Sequence, residues 1–96
     1  MDKYEGVLKK VINTYGIACQ KMKAIEEMSE LTYALCRDDN IENIAEEIGD
    51  VRIMLDQLIL LYGVEDEVED SIRSKLIRIT KEISDSDSEN DLELLG

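Results

Sequence analysis

Apolar residues recur along this chain at intervals of three and four, the spacing of one helical face, and they do so in four blocks. The first, about Asp2 to Tyr15, sets Tyr4, Val7, Leu8, Val11, Ile12 and Tyr15 on one face, and Gly16 is a natural C-terminal stop. The second, about Ile17 to Arg37, carries the stripe Ala18, Met22, Ile25, Met28, Leu35 and Cys36, with Thr32 as a polar interruption. "RDDN" then breaks the pattern, and Asp39 or Asn40 can cap the next helix. The third block, about Ile41 to Tyr62, stops at Gly63 and has Ile44, Ile48, Val51, Leu55, Ile59 and Tyr62 on its main face. A second face starts with Asn43, Glu47 and Asp50 and continues as Met54, Leu58 and Leu61. A helix that is apolar nearly all round is buried or lies in an interface.

The fourth block, about Glu65 to Ile83, aligns Val68, Ile72, Leu76, Ile79 and Ile83. Its first turn is acidic and its later turns hold Arg73, Lys75, Arg78 and Lys81, the order that suits a helix dipole. No stretch reads as a strand. The expected fold is all-α, one four-helix bundle over residues 1–83 with the second and third helices as an antiparallel hairpin. Residues 84–96, "SDSDSENDLELLG", are acidic and serine-rich without helical periodicity, and are expected to be a disordered tail.

Composition narrows the function. With 96 residues the core is marginal, so oligomerisation is expected. Asp plus Glu number 23 against 11 Lys plus Arg, a net charge of −12, which repels nucleic acid and anionic membranes and attracts cations. Neither nucleic acid nor membrane is an expected partner. No apolar run approaches the length of a bilayer span, and the N-terminus "MDKYEGVLKK" is too polar for a signal peptide, so the expected location is cytoplasmic. Cys19 and Cys36 are too far apart for a redox pair or zinc clip, and histidine is absent; both read as small apolar residues of a reduced chain.

The candidate chemistry lies in two acidic stretches. "KAIEEMSEL" holds Glu26, Glu27 and Glu30, and "AEEIGDV" holds Glu46, Glu47 and Asp50. Taken alone, Lys23, Glu26, Glu27 and Glu30 fall on the side of the second helix away from its apolar stripe, as on any solvated face. A hairpin folded about Asp38 and Asp39 sets Glu30 level with Glu47 and Glu27 level with Asp50. Each pair stands nearly one turn from the other, roughly 4.5 Å along the axis. Four clustered carboxylates call for a hard cation. Mg²⁺ takes oxygen ligands and bridges carboxylates to phosphates, and Mn²⁺ can substitute. Without histidine or thiolate at the site, zinc and copper fit poorly.

Glu26-Glu27-x-x-Glu30 followed by Glu47-x-x-Asp50 on successive helices resembles the signature of the MazG-like all-α nucleoside triphosphate pyrophosphohydrolases. "NIAEEIGDVRIMLDQLILLYG" is similar to the compact single-domain, phage or bacterial type, and the resemblance covers roughly residues 15–83. It implies a helical homodimer or homotetramer that cleaves a nucleoside triphosphate with Mg²⁺, giving the monophosphate and pyrophosphate, in nucleotide-pool housecleaning. It implies Glu27, Glu30, Glu47 and Asp50 as metal ligands, and Glu26 and Glu46 as the carboxylates that support further metal or water and can take the proton. It implies a phosphate contact for Lys23. Some relatives have lysine where this chain has Asn43, which leaves Lys75 and Arg78 as candidates for the remaining phosphate grip. Phosphoribosyl-ATP pyrophosphohydrolase is the alternative within the same superfamily. A non-catalytic interaction module, or a helical bundle whose carboxylates are only surface charge, are the alternatives outside it. Tyr15, Tyr33 and Tyr62 can stack on a base, but each reads better as a core or interface residue.

Overall fold

The computed structural model describes residues 2–86. After a short 3₁₀ turn (Asp2–Tyr4) come four helices: α1 (Glu5–Tyr15), α2 (Ile17–Cys36), α3 (Ile41–Tyr62) and α4 (Glu65–Ser86). No strand occurs among the described residues, so the chain is all-α as expected. Residues 84–86, expected in the tail, instead continue α4; the rest of that expectation lies outside the described residues. Among the described residues no helix is long and apolar enough to cross a membrane.

The boundaries follow from local chemistry. Gly16, at φ 87°, ends α1 by donating its N–H to the Ile12 carbonyl at 2.8 Å, and its own carbonyl accepts the first α2 bond from Gln20 at 3.1 Å. Asn40 is the N-cap of α3, its Oδ1 accepting from the Asn43 N–H at 2.8 Å. Asp39 ties the turn instead: its carboxylate accepts from the Asn40 N–H at 2.8 Å, from Arg37 and from the Asn43 side chain. Gly63, at φ 64°, closes α3 in the left-handed conformation, with its N–H on the Ile59 carbonyl at 2.9 Å.

The chain divides into two compact units, Met1–Gly63 and Val64–Gly96. In the first, α2 and α3 pack along their length as an antiparallel hairpin, and α1 lies mainly against α3. In the second, no described residue of α4 is buried. Its Asp70 and Arg73 pair at 3.0 Å and its Arg78 and Glu82 at 3.7 Å.

The hairpin seam differs from the expected one. On α2 the inward positions are Gln20, Ala24, Glu27, half-buried Leu31 and Ala34. On α3 they are Asn43, Glu47, Asp50, Met54, Gln57 and Leu61, with Val51 beside them. Both sets repeat at alternating intervals of four and three, the spacing of knobs-into-holes packing. The α2 stripe expected to be core points outward, with Met22 65% and Ile25 54% exposed. Ile48 and Leu55 of the expected α3 face, and Val7 and Tyr15 of the expected α1 face, are likewise exposed. Cys19 and Cys36, read as small apolar residues, are exposed free thiols. The cause is size: Ala24 and Ala34 let the two backbones approach, and a close seam seals small and polar residues that a hydropathy pattern ranks below Met22 or Ile25.

Candidate metal and phosphate site

The inner face of α2 carries Glu27 into the seam, where it is only 7% exposed. The sequence reading placed Glu27 with Glu26 and Glu30 on a solvated face; the alanine-lined seam draws it inward instead, while Glu26 and Glu30 stay exposed. From α3, Glu47 and Asp50 approach half-buried. Carboxylate oxygens of Glu27, Glu47 and Asp50 all lie within 4.8 Å of one another, and so do those of Glu26, Glu27 and Glu30. Glu27 belongs to both groups and joins them. Glu27 of α2 thus meets Asp50 and Glu47 of α3, as the expected hairpin requires.

Electrostatics at the site are strained. Burial first, and then the charges of Glu30, Asp50, Glu27 and Glu46, push the Glu47 carboxyl above its ordinary value. Burial, then the Glu27 charge and a hydrogen bond with Glu27, do the same to Asp50, and Lys23 partly opposes this. Glu47 Oε2 is buried with no hydrogen-bond partner among the described residues. A buried carboxylate oxygen left unpaired is costly and marks a place where a cation or bound water belongs.

The carboxylates are not wholly without a cation. Lys23, one turn before Glu27, reaches its Oε1 at 3.1 Å and Glu26 Oε2 at 3.8 Å. Its own pKa is raised, chiefly by the hydrogen bond to Glu27 and then by the Glu26 charge. Lys23 is half-exposed, so its ammonium can swing to an incoming anion at little cost. Glu46 is exposed and belongs to neither group of converging oxygens, although its charge acts on both Glu47 and Asp50. Lys75 and Arg78 lie in the second unit, on α4.

A hollow of about 520 Å³ opens beside the acidic groups, lined by Glu26, Ser29, Glu30, Tyr33, Ala34, Arg37, Asn43 and Glu47. The Arg37 guanidinium stacks over the Tyr33 ring at 4.7 Å. Asp39 holds Arg37 and the Asn43 side chain together at the far end. Sequence reasoning noted Tyr33 and Asn43 singly but missed Arg37. The available signal was its position two turns beyond Glu30, on the same side of α2.

An all-oxygen donor set, an unpaired buried carboxylate oxygen and no histidine in the chain together suit Mg²⁺ or Mn²⁺. Glu27, Glu47 and Asp50 form one group of oxygens that could hold such an ion, and Glu26, Glu27 and Glu30 form another. No protein-family model, curated protein or solved structure matches the chain, so a family reading rests on the resemblance of these residues alone.

Proposed function

We propose that the protein is a Mg²⁺-dependent nucleoside triphosphate pyrophosphohydrolase, working as a homo-oligomer on the nucleotide pool. The observation that carries this reading is the convergence of Glu27, Glu47 and Asp50 around an unpaired, buried Glu47 oxygen. The acidic signature that resembles the MazG-like enzymes adds the substrate class.

The overall reaction is nucleoside triphosphate plus water to nucleoside monophosphate plus pyrophosphate. Phosphoryl transfer asks the protein mainly for positioning and charge neutralisation. Bound Mg²⁺ supplies charge screening for the phosphates and lowers the pKa of a bound water. Glu27, Glu30, Glu47 and Asp50 would hold it, and its charge would relieve their crowding. Lys23 exchanges its contact with Glu27 for a phosphate oxygen. Glu26 or Glu46, both exposed, accepts the proton of the attacking water.

Pyrophosphate release with Mg²⁺ or Mn²⁺ over a panel of standard and modified triphosphates tests the proposal. Turnover is expected for at least one, with kcat falling by a factor of about 100 or more for Glu47→Gln and Asp50→Asn. Lys23→Ala is expected to raise KM. Silence across the panel from metal-loaded protein sinks the enzymatic reading and leaves a non-catalytic helical module.

A further inference from the structure

The hollow of about 520 Å³ changes its chemistry along α2. It starts at Glu26 and Glu30, among the oxygens that could hold a metal, and ends at Tyr33 and Arg37, which belong to neither acidic group. From Glu30 to Arg37 is two turns, about 10 Å along the axis, enough to part a base from its phosphates across a sugar. The volume is more than a phosphate group needs and suits a small-molecule site. We propose that the end formed by Tyr33, Arg37 and Asn43 binds the base of the nucleotide and selects bases that carry an exocyclic amino group. The proposal rests on the nucleotide reading of the acidic site and adds the base, which that reading leaves open.

The first support is a flat platform. The Arg37 guanidinium lies over the Tyr33 ring at 4.7 Å, and Asp39 accepts from both its Nε and its Nη2, which fixes its plane. The pair is open to solvent: Tyr33 is 64% exposed and the Arg37 side chain 52%. Bases stack on aromatic rings and on guanidinium planes of this kind. Charge is the second. Arg37 is the one basic residue of the lining among the described residues, and Asp39 already pairs with it. With Glu26, Glu30 and Glu47 on the other walls, this end has no spare positive charge for a phosphate.

The third support is the edge that the hollow presents. Asp39, an ionised carboxylate, can only accept, so the Asn43 side chain turns its N–H₂ to Asp39 and keeps its carbonyl oxygen to accept from elsewhere. Ser29 Oγ gives its proton to the Ile25 carbonyl at 2.9 Å, so it too is left as an acceptor. A wall rich in acceptors pairs with a donor. Cytosine and adenine offer an amino group; uracil and hypoxanthine put a carbonyl oxygen in its place, and oxygen facing oxygen leaves both unpaired.

The test compares CTP with UTP, and ATP with ITP, in pyrophosphate release with Mg²⁺. In at least one pair the amino member is expected to show a kcat/KM about tenfold higher or more. Asn43→Leu is expected to bring the two members of that pair within about threefold of each other. Tyr33→Ala, at an exposed position, is expected to lower both by about tenfold. Nuclear magnetic resonance with CMP, UMP, AMP and IMP in Mg²⁺ reads the same site without turnover, through the signals of Tyr33, Arg37 and the Asn43 side chain. Turnover with no preference in either pair overturns the base site and leaves the proposed activity standing. So does a preference that survives Asn43→Leu. No turnover, with CMP or AMP moving those signals and UMP and IMP leaving them still, removes the activity and keeps the base site. Monophosphates that move none of these signals overturn the base site whatever the turnover.

Discussion

Carboxylate oxygens of Asp50 on α3 and Glu27 on α2 lie within 4.8 Å of each other across the hairpin seam. Burial, and then the Glu27 charge, disfavour ionisation of the Asp50 carboxyl there. The packing that brings the two helices together therefore builds a demand for positive charge.

Metal addition should meet that demand. Mg²⁺ or Mn²⁺ at about a hundredfold over its dissociation constant is expected to stabilise the fold by about 2.7 kcal/mol. Thermal melts with and without metal check this, and Glu47→Gln is expected to shrink the gain. Unchanged melting of the parent protein would contradict the site.

Without metal the same substitution acts in the other direction. Glu47→Gln removes a charge that burial and four neighbouring carboxylates disfavour, and Glu30→Gln removes the charge that acts most on Glu47. Each apo variant is expected to melt at or above the parent temperature in EDTA. A large drop would mean that these carboxylates make stabilising contacts in the apo fold.

Acidification should stabilise the metal-free protein before it harms it. Glu47 and Asp50 have folded pKa values raised above their ordinary 4.5 and 3.8. The folded state thus holds their protons more tightly, so the stabilisation is full below those ordinary values and is lost as pH rises through the folded ones. Asp39 has the opposite sign. Arg37, then the Asn40 N–H, hold its carboxyl below 3.8, so its contribution is present above that value and is lost as pH falls through the folded pKa. Melting of the EDTA-treated protein is expected to rise as pH falls from neutral through the folded values of Glu47 and Asp50, and to turn down only in stronger acid. A monotonic fall from pH 7 would refute the sign for Glu47 and Asp50.

The turn between the helices gives a structural control. Asn40→Ala deletes the N-cap bond of α3 and is expected to cost about 1 kcal/mol. Urea unfolding measures it. A cost near zero would mean that Asp39 takes over as cap.

Much of the fold is legible in the sequence because punctuation is local: Gly16, Asn40 and Gly63 end or begin helices through bonds within a few residues. The pairing of Glu27 with Asp50 is legible for a similar reason, since a short turn leaves the hairpin little freedom of register. The buried side of α2 is not legible. Two seams of the same spacing lie on opposite faces, and the more apolar one, with Met22 and Ile25, is exposed. Hydropathy cannot see that Ala24 and Ala34 allow the closer backbone approach, nor that Glu27 and Gln20 are sealed as a result. Arg37 escaped notice because its role depends on Tyr33 and Asp39 together.

The Arg37–Asn40 turn has a kinetic consequence. It joins the two helices that hold all four proposed metal ligands, so the site needs only two neighbouring helices to zip from one short turn, which is fast. The α2–α3 hairpin is expected to protect its amides first in pulse-labelled hydrogen exchange, ahead of α1. The acidic cluster would then be in place early in folding, so divalent ions present during refolding should speed the process as well as stabilise its end state.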